Sequence, residues 1–181
     1  YVRDIPGDGR TKTVKDARAV LREQRPGAEI LPADEYDTCI AVRDALKAHP
    51  LAGPLLDVGR VELTAVWDDA ATAVRCKGRF DALFDDSTMI ADLKTTESAA
   101  TAAFTKTIYD RGYYLQAAFY VSGALALGLP VEEFVFVAAE KVPVYGIKVY
   151  PIKGEAIAPG QAALPPLRDW VAPDWPGGDF S

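Results

Sequence analysis

The chain is poor in the residues that staple folds and bind soft metals: two cysteines and one histidine among 181 residues. Cys39 and Cys76 are too few for a disulfide framework and lack metal-ligand spacing. One histidine, His49, argues against a His-rich zinc site and against a His-based triad. No apolar run approaches the roughly 18 residues of a membrane-crossing helix, and no signal-peptide pattern is present. These absences point to an intracellular, cytoplasmic chain with no membrane partner. Positive charge is also in the minority, with 20 Lys and Arg against 26 Asp and Glu and a net charge of -6. A generally basic surface is thereby excluded, so any nucleic-acid contact must come from a local patch. The remaining composition is that of an ordinary globular protein, long enough to form one domain with a real core.

Residues 1–12, with turn signals at Pro6-Gly7 and Asp8-Gly9, read as an extended or looped lead-in. Helices are expected over about 14–24, stopped by Pro26-Gly27, and over about 33–48, ended by Pro50; Tyr36, Ile40, Val42 and Leu46 form the apolar stripe of the second. The segment from Ala48 onward turns into a sheet. Three alternating runs, 61–68, 73–84 and 89–96, are joined by short Asp-rich turns and predict an antiparallel meander. In the second run, alternation puts Val74, Cys76, Phe80 and Ala82 on one face and Arg75, Lys77, Arg79 and Asp81 on the other. One or two helices are expected within 97–110, and another over 113–127 with Gly128 as its cap and Pro130 beyond it. Strands over 131–140 and 144–152 follow, then a Pro/Trp-rich tail, 155–181, carrying Trp170 and Trp175.

Period-two strand geometry puts Asp92 and Lys94 on one side, with Met89, Ala91 and Leu93 on the other. A meander can bring Asp81 beside Asp92, and Glu62 on the preceding strand can join them. Carboxylates at close quarters repel unless a cation or proton intervenes. Oxygen-only ligands suit Mg2+, with Mn2+ able to substitute, and Lys94 would steady charge developing on a phosphate. The alternative is a solvated, salt-bridged strand face. On the following helix, Gln116 and Tyr120 are i,i+4 neighbours, with Tyr113 one turn earlier. Either they are aromatics and a polar residue packed on the sheet, or Gln116 and Tyr120 serve the site by bonding a phosphate or base, or by bracing the metal ligands. Arg111 and Lys106 are candidate phosphate contacts.

The ordered set VELTAVWDD (61–69), CKGRFDAL (76–83), IADLKTT (90–96) and GYYLQAAFYVSG (112–123), after the lead-in GRTKTVK (9–15), resembles the PD-(D/E)XK nucleases. Among these it is most similar to the phage and prophage exonucleases of the exonuclease VIII type. The resemblance implies an α/β (α+β), restriction-endonuclease-like core: a mixed central sheet with an antiparallel meander, flanked by helices. It makes Asp81 the motif Asp and Asp92 with Lys94 the (D/E)-x-K pair, with Gln116 and Tyr120 the late Gln and Tyr. Glu62 matches an acidic position of the first core strand, so Asp81, Asp92 and Glu62 are the expected metal ligands. Phe80 stands where the family name has Pro, at a position that carries no ligand. The implied activity is Mg2+-dependent hydrolysis of linear double-stranded DNA, 5′ to 3′, leaving 3′ single strands for recombination. The implied setting is a bacterial or phage-encoded ring-like homo-oligomer working beside a single-strand annealing protein. Relatives carry an early helix with a metal-binding His upstream of the GRTK-like segment, so residues 1–181 are expected to be one nuclease domain lacking that helical segment. His49 is expected to be a packed or capping residue. An endonuclease of the same fold, or a catalytically silent DNA-binding or assembly module, are the alternatives.

Overall fold

The computed structural model describes residues 1–57, 59–153 and 157. The tail with Trp170 and Trp175 lies outside the described residues. The lead-in holds a two-residue strand, β1 (Val2–Arg3). Helix α1 (Lys12–Gln24) follows, capped by Thr11, whose hydroxyl accepts the Val14 N–H. Strand β2 (Ile30–Leu31) then pairs with β1 in parallel, a small sheet no alternation pattern announces. Helix α2 (Ala33–Ala48) buries Val42 and Leu46, as its apolar stripe predicts. His49 ends α2, and its Nδ1 accepts the N–H groups of Leu51 and Ala52 at 3.3 and 3.1 Å. It is a capping histidine, serving a short helix α3 (Ala52–Asp57) where the sequence suggests only a turn.

Five strands form the main sheet in chain order: β3 (Arg60–Asp68), β4 (Arg75–Leu83), β5 (Met89–Thr96), β6 (Glu133–Glu140) and β7 (Ile147–Lys153). Strands β3, β4 and β5 make the expected antiparallel meander. Between β5 and β6 come helices α4 (Thr101–Asp110) and α5 (Tyr113–Ala126). A helical crossover of this kind is what a parallel pair requires, and β6 does lie parallel to β5. The sheet is therefore mixed, with helices on both faces. On the α5 side, Phe80, Ile90, Phe134 and Phe136 pack with Phe104 and with Ala117, Ala118 and Val121. On the α2 side, Ala91, Val135, Val137 and Ala139 pack with Val42, Leu46 and Ala52. β6 alternates between the two cores and is buried on both faces, as befits a central strand. Among the described residues, no helix is long and apolar enough to cross a membrane.

Small residues set how closely α5 approaches the meander. Trp67 of β3 lies under Gly123, where a Cβ would come within 2.6 Å of the indole ring. Tyr120 lies over Gly78 of β4, where a Cβ would come within 3.1 Å. Trp67 is also held against Phe119, ring centroids 4.9 Å apart, so it has little room to withdraw. Gly123→Ala gains roughly 1 kcal/mol of helix propensity. Overpacking of roughly 1–3 kcal/mol opposes this. With three ring atoms under 2.8 Å, the overpacking dominates. A net loss of about 1–2 kcal/mol is expected, read as a lower urea midpoint at unchanged slope.

Candidate active site

Strand β5 lies between β4 and β6, and this carries Asp92 into the interior, where it is only 1% exposed. Lys94, two residues on and on the same side, places Nζ 2.5 Å from Asp92 Oδ2. From α5, Gln116 Nε2 donates to Asp92 Oδ1 at 3.1 Å. The Tyr113 ring, one turn earlier on that helix, lies beneath Lys94 Nζ at 4.8 Å from its centroid. Tyr113 itself rests on Phe136, the residue beside Asp92 in the β5–β6 register. The expected i,i+4 pair divides its labour. Gln116 braces Asp92, whereas Tyr120 packs its ring on Phe80 and Phe134 at 5.2 and 6.4 Å.

Asp81 reaches the site because β4 and β5 part company there. Their ladder holds Ala82 opposite Ala91 and Leu83 opposite Ile90. In that register the next pair would be Asp81 opposite Asp92, but the ladder stops. Instead Asp81 Oδ2 accepts the Leu93 N–H at 2.8 Å, taking up an amide that the ladder no longer serves. The expected alternation of β4 fails at the same place. Phe80 and Leu83 belong to the α5-side core and Ala82 to the other, so Phe80 and Ala82 do not share a face. The distortion coincides with Glu62 on β3, which takes a positive φ of 53° and drops out of the β3–β4 ladder opposite Asp81. Unbroken alternation from Phe80 would have sent Asp81 to the α2 side, and the break turns it back toward Asp92.

Glu62 departs from expectation. Its side chain is exposed and pairs with Arg79 at 2.6 Å. Among the described residues, no group of three or more His, Cys, Asp or Glu side chains is placed to hold a metal ion. The close acidic pair is Asp81 and Asp92.

Burial, and next to it the Asp81 charge, push the Asp92 carboxyl up to about 6, against the opposing pull of the Lys94 ion pair and the Gln116 hydrogen bond. Apart from the Lys94 ion pair, Asp92 Oδ2 has no hydrogen-bond partner. A buried carboxylate oxygen whose one partner is the Lys94 ammonium, beside a second carboxylate, suits a hard divalent cation, which would share Oδ2 and cancel the repulsion. The donor set therefore fits Mg2+ or Mn2+ chemically.

The role of Tyr113 as a platform for Lys94, and of Phe136 beneath it, depends on which side of α5 meets β6. An aromatic on a helix carries no signal for that in the sequence.

No curated protein matches the sequence. The fold is similar to the crystal structure of a proposed exonuclease from Eubacterium rectale: TM-score 0.61 at 14% identity, over 82% of this chain. This chain spans only 57% of that protein's length. The crystal structure of SSO0001 overlaps 83% of this chain and 65% of its own length at 15% identity, with a TM-score of 0.40, too loose a match to argue from. The sequence itself is more decisive, because a family model matches residues 8–164 and takes in the whole sheet and both crossover helices. The chain belongs to the family of PDDEXK-like domains of unknown function (DUF3799).

Proposed function

We propose that the chain is a metal-dependent nuclease hydrolysing DNA phosphodiester bonds, with Asp92, Asp81 and Lys94 at its centre. The observation that carries this reading is the buried carboxylate of Asp92, which meets Lys94 at Oδ2 and lies beside the Asp81 charge. Asp92 Oδ2 and Asp81 would hold the cation, for which Mg2+ is the natural candidate and Mn2+ a substitute. When bound, such an ion supplies positive charge to the phosphate and lowers the pKa of water.

The protein's own groups supply the rest. Gln116 fixes the Asp92 carboxylate by holding Oδ1, with Oδ2 turned to Lys94. Asp81 is fixed in turn by the Leu93 amide. Lys94, held between Asp92 and the Tyr113 ring, keeps an ammonium where it can steady negative charge on a phosphate oxygen. Tyr120 contributes mainly through packing, and its hydroxyl is the group left to meet DNA.

The resemblance to exonuclease VIII-type enzymes extends the proposal to linear duplex DNA, digested 5′ to 3′ to leave 3′ strands for recombination. It also extends it to a ring-like oligomer working beside an annealing protein. End-labelled linear duplex and covalently closed circular duplex, each incubated with Mg2+ or Mn2+, test the core of it. Cutting of the linear form alone is expected, with products lost from the 5′ end. Cutting of the circle would make the protein an endonuclease, and no cutting of either would defeat the nuclease reading. A DNA-binding module that does not cut is favoured by one observation, the diversion of Glu62 to Arg79.

Gln116→Ala is expected to weaken Mn2+ binding about 10- to 100-fold by freeing the Asp92 carboxylate. Isothermal titration measures this directly, and an unchanged affinity would remove Gln116 from the site.

A further inference from the structure

We propose that the cleft next to the Asp92–Lys94 pair seats a second phosphate of the DNA strand, gripped by Arg111 and Lys141. This inference rests on the nuclease reading for the identity of its ligand. The cleft has a volume of about 530 Å3 and is lined by Thr95, Thr96, Glu97, Thr107, Asp110, Arg111, Tyr113 and Lys141. It is continuous with the site. The Tyr113 ring that underlies Lys94 also forms one of its walls, and Thr95 and Thr96 directly follow Lys94 on β5.

Two separate elements bring the cations together. Arg111 is the cap residue at the end of α4, just before the turn into α5. Lys141 directly follows β6 and is tied to the end of β5 by its N–H, which donates to Thr96 O at 3.1 Å. Both residues are exposed, and neither forms an ion pair among the described residues.

The other charges around the cleft are already matched or few. Asp110 is paired with Lys106, and Lys94 with Asp92. Glu97 offsets one of the two free cations, which leaves a single positive charge, the complement of one phosphodiester. The hydroxyls sort in the same way. Thr96 and Thr107 donate to Ser98 O and Ala103 O, so Thr95 is the hydroxyl open to a ligand. In a protein of net charge -6, a strand must be held by a local patch, and this one adjoins the reacting groups. A strand whose scissile phosphate lies at Asp92 and Lys94 would lay its neighbouring phosphate here.

The test measures binding of a fluorescently labelled duplex by anisotropy in EDTA, so that cutting plays no part, over a series of salt concentrations. Arg111→Ala and Lys141→Ala are each expected to weaken binding about tenfold and to lower the salt slope by about 1. Arg75→Ala, which breaks the pair with Asp68 at the far end of the β3–β4 hairpin, is the charge control and should change neither. Duplexes with 5′-phosphate and with 5′-hydroxyl ends separate two sources of the same chemistry. Equal losses on both assign an internal phosphodiester, and losses confined to the first assign the terminal phosphate. An unchanged affinity and slope in the double variant would overturn the proposal, as would an equal loss in Arg75→Ala or no affinity in the unsubstituted protein. Cleavage by the unsubstituted protein with Mg2+ is scored separately. Cleft-dependent binding without cutting would keep the phosphate seat and remove the nuclease.

Discussion

Asp92→Asn is expected to raise the stability of the metal-free protein at neutral pH while removing its proposed activity. The folded protein pushes the Asp92 carboxyl from 3.8 up to about 6. Between those two values the folded state holds the proton and the unfolded state does not. The stabilisation this contributes is therefore complete below the unfolded value and is lost as pH rises through about 6. By pH 7 the charged form costs about 3 kcal/mol, at about 1.4 kcal/mol for each pH unit of displacement. Asn cannot ionise, yet its Oδ1 can still accept from Gln116. The Lys94 attraction is already contained in the value of about 6. The poorer match of an amide to a site built around a carboxyl offsets part of the gain, so a net increase of about 1–2 kcal/mol is expected. Thermal melts in EDTA at about pH 7.5 and pH 4 check the sign, since the advantage should shrink toward the lower pH. Mg2+ should raise the melting temperature of the unsubstituted protein and leave that of the variant unmoved. Activity should fall by about 100- to 1,000-fold or more, the loss of several kcal/mol of charge stabilisation. A variant less stable than its parent at pH 7.5 would show that Asp92 is not charged against its surroundings.

Phe136→Ala carries the largest expected loss of stability, about 3–5 kcal/mol. Phe136 is fully buried, with ring centroids 5.0 Å from Phe134, 6.3 Å from Phe104 and 5.9 Å from Tyr113. The last contact ties packing to chemistry, because Tyr113 is the platform under Lys94. Phe136→Leu keeps most of the volume and should lose only about 1–2 kcal/mol. In that milder variant the proposed hydrolysis should still slow, through kcat more than KM, because Lys94 loses its fixed position. Urea unfolding measures the first effect and steady-state kinetics the second. A slow Phe136→Leu enzyme with an unchanged kcat would dissociate Tyr113 from the positioning of Lys94.

Much of the sheet was legible because long strands with one period leave few choices. The alternation of β3, β4 and β5 and their short Asp-rich turns gave the meander, and period two alone set Asp92 and Lys94 side by side. Helix α5 was bounded by Gly112 and Gly128, both at positive φ. The small elements were not legible. β1 and β2 are two residues each, paired across the length of α1, and α3 owes its start to a histidine cap rather than to an apolar period.

The sequence by itself determined the residues proposed to carry the chemistry: a Lys two positions after an Asp on a buried strand, an Asp on the strand before, and a Gln on the next long helix. Tertiary structure decided how they meet. Where β4 leaves β5, the alternation breaks between Phe80 and Ala82, and Asp81 turns to the Leu93 amide beside Asp92. Glu62, placed by the same register opposite Asp81, turns outward to Arg79. The physical reason is that strand period is a local property. The end of a hydrogen-bond ladder depends on the partner strand, and a carboxylate goes to whichever donor or cation the assembled sheet puts within reach.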